Sequence, residues 1–351
     1  MAALHSIAMF IGGPGATLWA AYHSNREDII PLAAFAAAIA TFTTAVIALM
    51  RHFAQTDADR QRRIVESFSK AVEQLGSDKL ELRVGAIFAL ERISRENPDD
   101  YLTILEVLAA FVRERMKYET IRTRLSERAY FLWLQADRAE GRSEEFWFEA
   151  VRLERLEETP TDIAAIFTVI ARRSAENRQR EEDRKWGFDL RGTYLGKAPL
   201  QGVHLKRANL FEAHLQAANL SKARLRLANL SKAHLQDANL SGAHLQEAYL
   251  TDAHLERASI SEAHLEGATL LRVRLEGAYL IKARLDGAVL AGADLKGVDL
   301  SNAHLEGADL TLVESLTDDQ LLKSHGDGKT KLPKGVTRPT TWPPLDEIEV
   351  K

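Results

Sequence analysis

Residues 191–225, taken in fives, run RGTYL, GKAPL, QGVHL, KRANL, FEAHL, QAANL, SKARL. Each five ends in Leu, and the phase holds from Leu190 to Leu310. Of these 25 positions only Ile260 departs from Leu. Two residues before each one lies a small residue, usually Ala; Phe188, Thr193, Val203, Val273 and Val298 are the exceptions. A helix repeats near 3.6 residues and a strand at 2, so a Leu at every fifth position fits neither. A short period held over this length marks a solenoid, whose units bury their apolar sides by stacking on one another. A chain that turns a corner every five residues keeps Leu and Ala inward. The other three positions face outward and hold Lys, Arg, Glu, Asp, Gln, Asn, His and Ser.

The triplets ANL at 208–210, 218–220, 228–230 and 238–240 and ADL at 293–295 and 308–310 resemble the pentapeptide-repeat family motif of a small residue, Asp or Asn, then Leu. The resemblance implies a right-handed, four-sided β-helix of four fives per coil, in which Leu195, Leu215, Leu235 and Leu255 form one internal ladder. That makes roughly six coils, a rod roughly 30 Å long at strand spacing. The fold class expected is therefore mixed: N-terminal transmembrane helices and an α-helical adaptor, then the β-helix and a C-terminal cap. The boundaries expected are 1–55, 56–185, 186–312 and 313–351. Fold does not name an activity in so diverse a family.

The chain has 351 residues, a formal net charge of −4 and no cysteine. Disulfides and thiolate chemistry are excluded. Residues 29–50 carry no charge in 22 positions, long enough to span a bilayer as a helix. Ala33, Ala37 and Ala40 would let another helix approach closely. Residues 4–22 form a weaker span, broken by Gly12-Gly13-Pro14-Gly15; without a basic segment ahead of them they do not read as a signal peptide. A hairpin is favoured over a single span. Arg51, Arg60, Arg62 and Arg63 follow the second span, so the positive-inside rule would put residues after about 51 in the cytoplasm. The expected location is a bacterial inner membrane, with its lipid as one partner.

The middle of the chain reads as helices. Ile64, Phe68, Val72 and Leu75 form one stripe stopped by Gly76; Leu82, Ala86, Ala89 and Ile93 begin another. Asn97-Pro98-Asp99-Asp100 is a helix start, followed by Leu102, Leu105, Leu108 and Val112. The stretch from Ser67 to Tyr101 resembles the helical segment that precedes the repeats in membrane-attached pentapeptide-repeat proteins. Residues 119–158 are charged and aromatic (Phe131, Trp133, Phe146, Trp147, Phe148), which suits an amphipathic helix packed on the adaptor or a docking surface. Thr161-Asp162 caps a helix with Ile163, Ile166, Phe167 and Ile170. Trp186 and Phe188 are placed to plug the first coil, whose strand edges would otherwise lie open.

Charge is graded along the rod. Arg191, Lys197, Lys206, Arg207, Lys222, Arg224, Arg226 and Lys232 face Glu212 alone, whereas residues 237–309 hold six basic and twelve acidic residues. A solvated surface is the plain reading. The functional one is a membrane-facing patch of Lys206, Arg207, Lys222 and Arg226. His214, His234 and His254 stack on one face, and His244 and His264 on the opposite one. An aromatic ladder is favoured over a metal or acid-sensing site there. Beyond Leu310 the period is lost, and the tail resembles the terminal cap of related proteins. Its Gly328-Lys329-Thr330 mimics the end of a phosphate loop, but Lys323 stands where the first glycine belongs.

No catalytic or nucleotide motif is present in the sequence, and no cofactor is implied. The leading expectation is a non-enzymatic scaffold for an unidentified protein partner or a second copy, with nucleic acid disfavoured. Two rivals remain open. One is a topoisomerase-binding DNA mimic, which resemblance to one branch of the family implies but which needs a continuous negative surface. The other is a membrane-permeabilising effector.

Overall fold

In the computed structural model, residues 29–135 and 159–344 are described. The chain divides into two compact units, Met1–Glu66 and Ser67–Lys351.

Seven helices occur among the described residues: α1 (Ile29–Leu75), α2 (Leu80–Glu96), α3 (Tyr101–Arg115), α4 (Tyr118–Gln135), α5 (Thr161–Ala171), α6 (Ala175–Asp183) and α7 (Asp318–Leu322). The first corrects an expectation. Residues 29–50 are not a span that ends at Met50. They begin a 47-residue helix that runs without a break through Arg51, Arg60, Arg62 and Arg63 to Leu75. Among the described residues no helix is long and apolar enough to cross a membrane. The expected transmembrane hairpin, the inner-membrane location and the cytoplasmic orientation built on it fall with that finding. The other proposed span, residues 4–22, lies outside the described residues.

Helices α2, α3 and α5 pack into a small core. Ala86, Ile87, Leu90 and Ile93 of α2 are buried, with Ile104, Leu105, Leu108 and Val112 of α3 and Ile163, Ile166 and Ile170 of α5. Leu82 is 42% exposed; the buried face of α2 runs instead through Arg83. That Arg reaches Asp162, the second residue of α5, which is fully buried. Arg83 Nε donates to Asp162 Oδ2 at 2.7 Å, and Arg115 Nε lies 2.9 Å from the same oxygen. Asp162 Oδ1 also accepts from the backbone N–H of Ile163. One carboxylate thus ties α2, α3 and α5 together. Sequence reading placed it as a cap, but Pro160 is the N-cap and no side chain caps α5.

From Phe188 onward the chain winds as expected. Isolated parallel bridges join residues twenty apart, from Asp189–Asn209 to Asp294–Glu314. Each outward residue bonds the preceding coil with both backbone groups, and its inward neighbours bond the following one: His214 N–H donates to Thr193 O at 2.8 Å and His214 O accepts from Leu195 N–H at 2.7 Å, while Ala213 O accepts from His234 N–H at 2.9 Å and Leu215 N–H donates to His234 O at 2.7 Å. All the period-five positions from Leu190 to Leu310 are buried, as are the small residues two before them. Four flat faces result, named here by their first rung: Asp189, Tyr194, Pro199 and His204.

The corners explain why the turn recurs. From Ala198 onward, the N–H two residues before the next Leu donates back to the previous Leu carbonyl, as from Ala198 to Leu195 at 3.1 Å; at the first corner the Thr193 hydroxyl donates to Leu190 O instead, at 2.7 Å. The second corner residue has positive φ, whether Lys197 (57°), Glu247 (59°) or Gly242 (64°). A positive φ there is the mark of a type II turn.

Both rod ends are covered. Lys117 pairs antiparallel with Thr193: Tyr118 N–H donates to Gly192 O at 3.0 Å, and Tyr194 N–H to Met116 O at 2.6 Å. The link between α3 and α4 is therefore an extra strand on the first coil. Phe188 is buried, with Trp186 edge-on at 4.6 Å and the Arg173 guanidinium over its ring at 4.9 Å. At the other end His325 bridges His304 and Lys331 bridges Asp309, so pairing continues past the last Leu. Gly326 stands where a Leu would point inward, and the Trp342 ring fills that space; a Cβ on Gly326 would overlap it. Gln320 of α7 donates to Leu295 O and Val298 O at 3.0 and 2.9 Å, closing another corner.

Two stability predictions follow from these contacts. Asp162→Ala leaves Arg83 buried without its carboxylate and should cost about 3–5 kcal/mol, read from denaturant unfolding; a loss below about 1 kcal/mol would show that the pair is not the tie. Gly242→Ala meets only Lys222 Cγ at 3.6 Å and should cost the left-handed backbone penalty, about 1–2 kcal/mol. Gly187→Ala should cost clearly more, because its Cβ would overlap the Arg207 carbonyl. Equal losses at the two glycines would contradict this packing.

Candidate functional site

The rungs of the four faces differ in chemistry. The Asp189 and Pro199 faces carry mostly neutral residues, among them Asn209, Asn229, Asn219, Asn239, Tyr249 and Tyr279; the two tyrosines are half exposed. The Tyr194 face runs Tyr194, His214, His234, His254, Arg274, Asp294, Glu314. The His204 face is uniform: His204, Arg224, His244, His264, Arg284, His304, His325, with His or Arg on every rung.

The stacked histidines expected from the period are present. Ring centroids lie 4.4 Å apart for His214–His234, 4.8 Å for His234–His254 and 4.9 Å for His244–His264. Parallel rings keep their in-plane nitrogens side by side, which does not converge lone pairs on one ion. Among the described residues no group of three or more His, Cys, Asp or Glu could hold a metal. The first ladder has an unforeseen end: the Tyr118 ring stacks on His214 with centroids 3.4 Å apart. Only the antiparallel pairing at Lys117 brings Tyr118 there, and no periodicity announces it.

Burial pushes the His214 imidazole down to about 4, helped by neighbouring His234. Burial does the same to His204, also to about 4, with Arg224, Arg178 and Arg173 adding to it. His234 and His244 are lowered too, mainly by burial.

The basic patch is divided. Lys206, Arg207 and Arg226 line one cleft together with Arg224, while Lys222 sits at the opposite corner of the same face. This cleft, of about 690 Å³, lies between α6 and the first coils, and Arg173, Arg178 and Trp186 form its other wall. Its four carboxylates are engaged: Glu181 with Arg173 at 2.7 Å, Glu182 with Lys206 at 2.6 Å, Glu247 with Arg226 at 2.6 Å, and Glu266 with Arg284 at 3.1 Å. Further along the rod, cations pair vertically between coils: Arg257 with Asp237, Arg272 with Asp252 and Lys296 with Glu276. The charge gradient in the sequence thus becomes unneutralised positive charge near the first coils.

With this geometry in view, comparison with known proteins is informative about the rod. The pentapeptide-repeats family model matches in eight copies over residues 189–226, 208–246, 228–267 and 274–311. The repeat-bearing part of the chain belongs to the pentapeptide-repeat family. Residues 119–153 match a second family, described as a protein of unknown function (DUF2934). No curated protein matches the chain. Among solved structures it is similar to QnrB1, a plasmid-mediated fluoroquinolone resistance protein, at 24% identity over 42% of this chain and 75% of that one, TM-score 0.25. It is also similar to Rfr23 from the cyanobacterium Cyanothece 51142, at 33% identity over 30% and 63%, TM-score 0.18. A third is HetL from the cyanobacterium Nostoc sp. strain PCC 7120, at 24% identity over 47% and 93%, TM-score 0.18. These likenesses carry no argument about what this chain binds.

The histidines give a pH prediction. A folded pKa below the unfolded value of about 6.5 means that the unfolded chain takes up protons first as pH falls. Stability should therefore be full above pH 6.5 and decline toward pH 4. Thermal unfolding midpoints measured across that window should fall, and the combined His204→Gln and His214→Gln variant should fall less. A flat wild-type profile, or an unchanged slope in the variant, would count against buried neutral imidazoles.

Proposed function

We propose that the protein is a non-enzymatic scaffold whose rod binds an acidic protein surface along the His204 face. One observation carries the reading: seven consecutive rungs, from His204 to His325, are His or Arg, held in register by backbone pairing. A flat ladder of this kind offers a partner donors at strand spacing, about 4.8 Å apart, on a surface that needs little ordering on binding. Glu212, Asp237, Glu247, Asp252 and Glu276 sit on corners and pair with cations of neighbouring coils, which suits surface chemistry better than acid–base catalysis. A duplex mimic fits less well, because Arg257, Arg272, Arg284 and Lys296 interrupt the acidic residues of the distal coils. A second copy of the chain is the other occupant to test for.

A photocrosslinking amino acid at His244, compared with one at Asn239 on the neighbouring Pro199 face, tests the assignment in cells. Crosslinks to an acidic protein should concentrate at position 244 and fade when Arg224 and Arg284 are changed to Gln. Equal yields at both positions would refute the face, and a crosslinked species of twice the chain mass would give it to self-association instead.

A further inference from the structure

The cleft at the start of the His204 face has features that a flat docking surface does not need. Six cations line it, Arg173, Arg178, Lys206, Arg207, Arg224 and Arg226, against four carboxylates, so it is net positive in a chain of net charge −4. Arg173 is fully engaged: it is buried, donates to Ile170 O and His204 O, and pairs with Glu181. Lys206 and Arg226 each have a carboxylate partner. The remaining three have none among the described residues. Arg178 donates to the carbonyl of Arg173, and Arg207 and Arg224 have no ion pair. These three guanidiniums come from three separate walls: α6, a rod corner and a rung of the ladder.

We propose that this cleft binds a small anion bearing more than one phosphate group. The guanidinium fork matches phosphate oxygens two at a time, which an ammonium does not. Three forks on three walls suit an anion with oxygens on several sides better than a single carboxylate. The volume, about 690 Å³, falls within the range of small-ligand sites. His204 and His244 on the floor add ring nitrogens for hydrogen bonding, and the Trp186 ring forms an apolar side wall. The three cations project from backbone that is held in place: α6 is N-capped by Ser174, whose hydroxyl accepts from Asn177 N–H, the corner is fixed by Arg207 N–H to Arg226 O at 2.9 Å, and the rung by Arg224 N–H to Val203 O at 2.8 Å. The proposal does not depend on the scaffold reading, since its ligand is small and occupies one end of the face.

Calorimetric titration of the full chain with inorganic pyrophosphate tests it. Saturable binding is expected, weakened about tenfold or more by Arg207→Gln and by Arg224→Gln. Neither side chain makes an ion pair, so both variants should fold, which unchanged thermal unfolding would confirm. Lys282→Gln removes the same charge from a corner farther along the rod and should leave the affinity unchanged. Absence of binding to the wild-type chain at millimolar pyrophosphate would overturn the proposal. So would equal weakening by Lys282→Gln, which would indicate charge attraction without a site. A hexaglutamate peptide that bound as tightly as pyrophosphate would overturn it in favour of an acidic peptide.

Discussion

The rod depends on one constraint: every outward residue of a face must bond the preceding coil through both its backbone groups, while its two inward-pointing neighbours bond the following one. The bonds run between residues nineteen to twenty-one apart, at 2.7–3.2 Å. They are satisfied only if each five turns the same corner. That requirement makes the second corner residue left-handed even where it is Lys, Glu or Arg, a conformation that L-residues otherwise avoid. The local cost is offset by closed backbone bonding and by a Leu interior that excludes water.

A stacked architecture of this kind has two ends and no natural stop. Here each end is closed by a different device. The first coil receives a strand from the α3–α4 link and a buried Phe188. The last receives Trp342 in the space left by Gly326, together with the side chain of Gln320. The first closure also ties the helices to the rod. Tyr101 of α3 donates to Glu181 of α6, which holds Arg173, which in turn donates to the carbonyl of His204. The groups that shape the basic cleft are thus the groups that join the two layers, and the cleft exists because a helical cap sits on this corner of the coil.

Surface charge follows the same geometry. Residues twenty apart are vertical neighbours, so opposite charges at that spacing neutralise one another at the surface, each pair contributing little to stability. Arg257 and Asp237 do so, as do Arg272 and Asp252. Arg207 and Arg224 have no acid at the matching distance. Their positive charge stays available, which no count of basic and acidic residues would reveal.

The period of five was enough to place every inward Leu and Ala, because inward packing and outward exposure repeat with the chain itself; the four faces and the histidine stacks needed the family resemblance, which implies four fives per coil. It also foretold Phe188 at the first coil. The helices were readable only in part. Stripes of apolar residues located α2, α3 and α5, but Leu82 lies outside the core and Arg83 within it, because Asp162 from another helix completes the buried pair. An uncharged run at 29–50 reads as a membrane span by composition, yet composition does not say where a helix ends, and this one continues to Leu75. The strand at Lys117, the stacking of Tyr118 on His214 and the filling of the Gly326 gap by Trp342 join residues far apart in the chain without any repeat between them. Such contacts depend on the shape left at each end of the rod, and so the tertiary structure alone decided them.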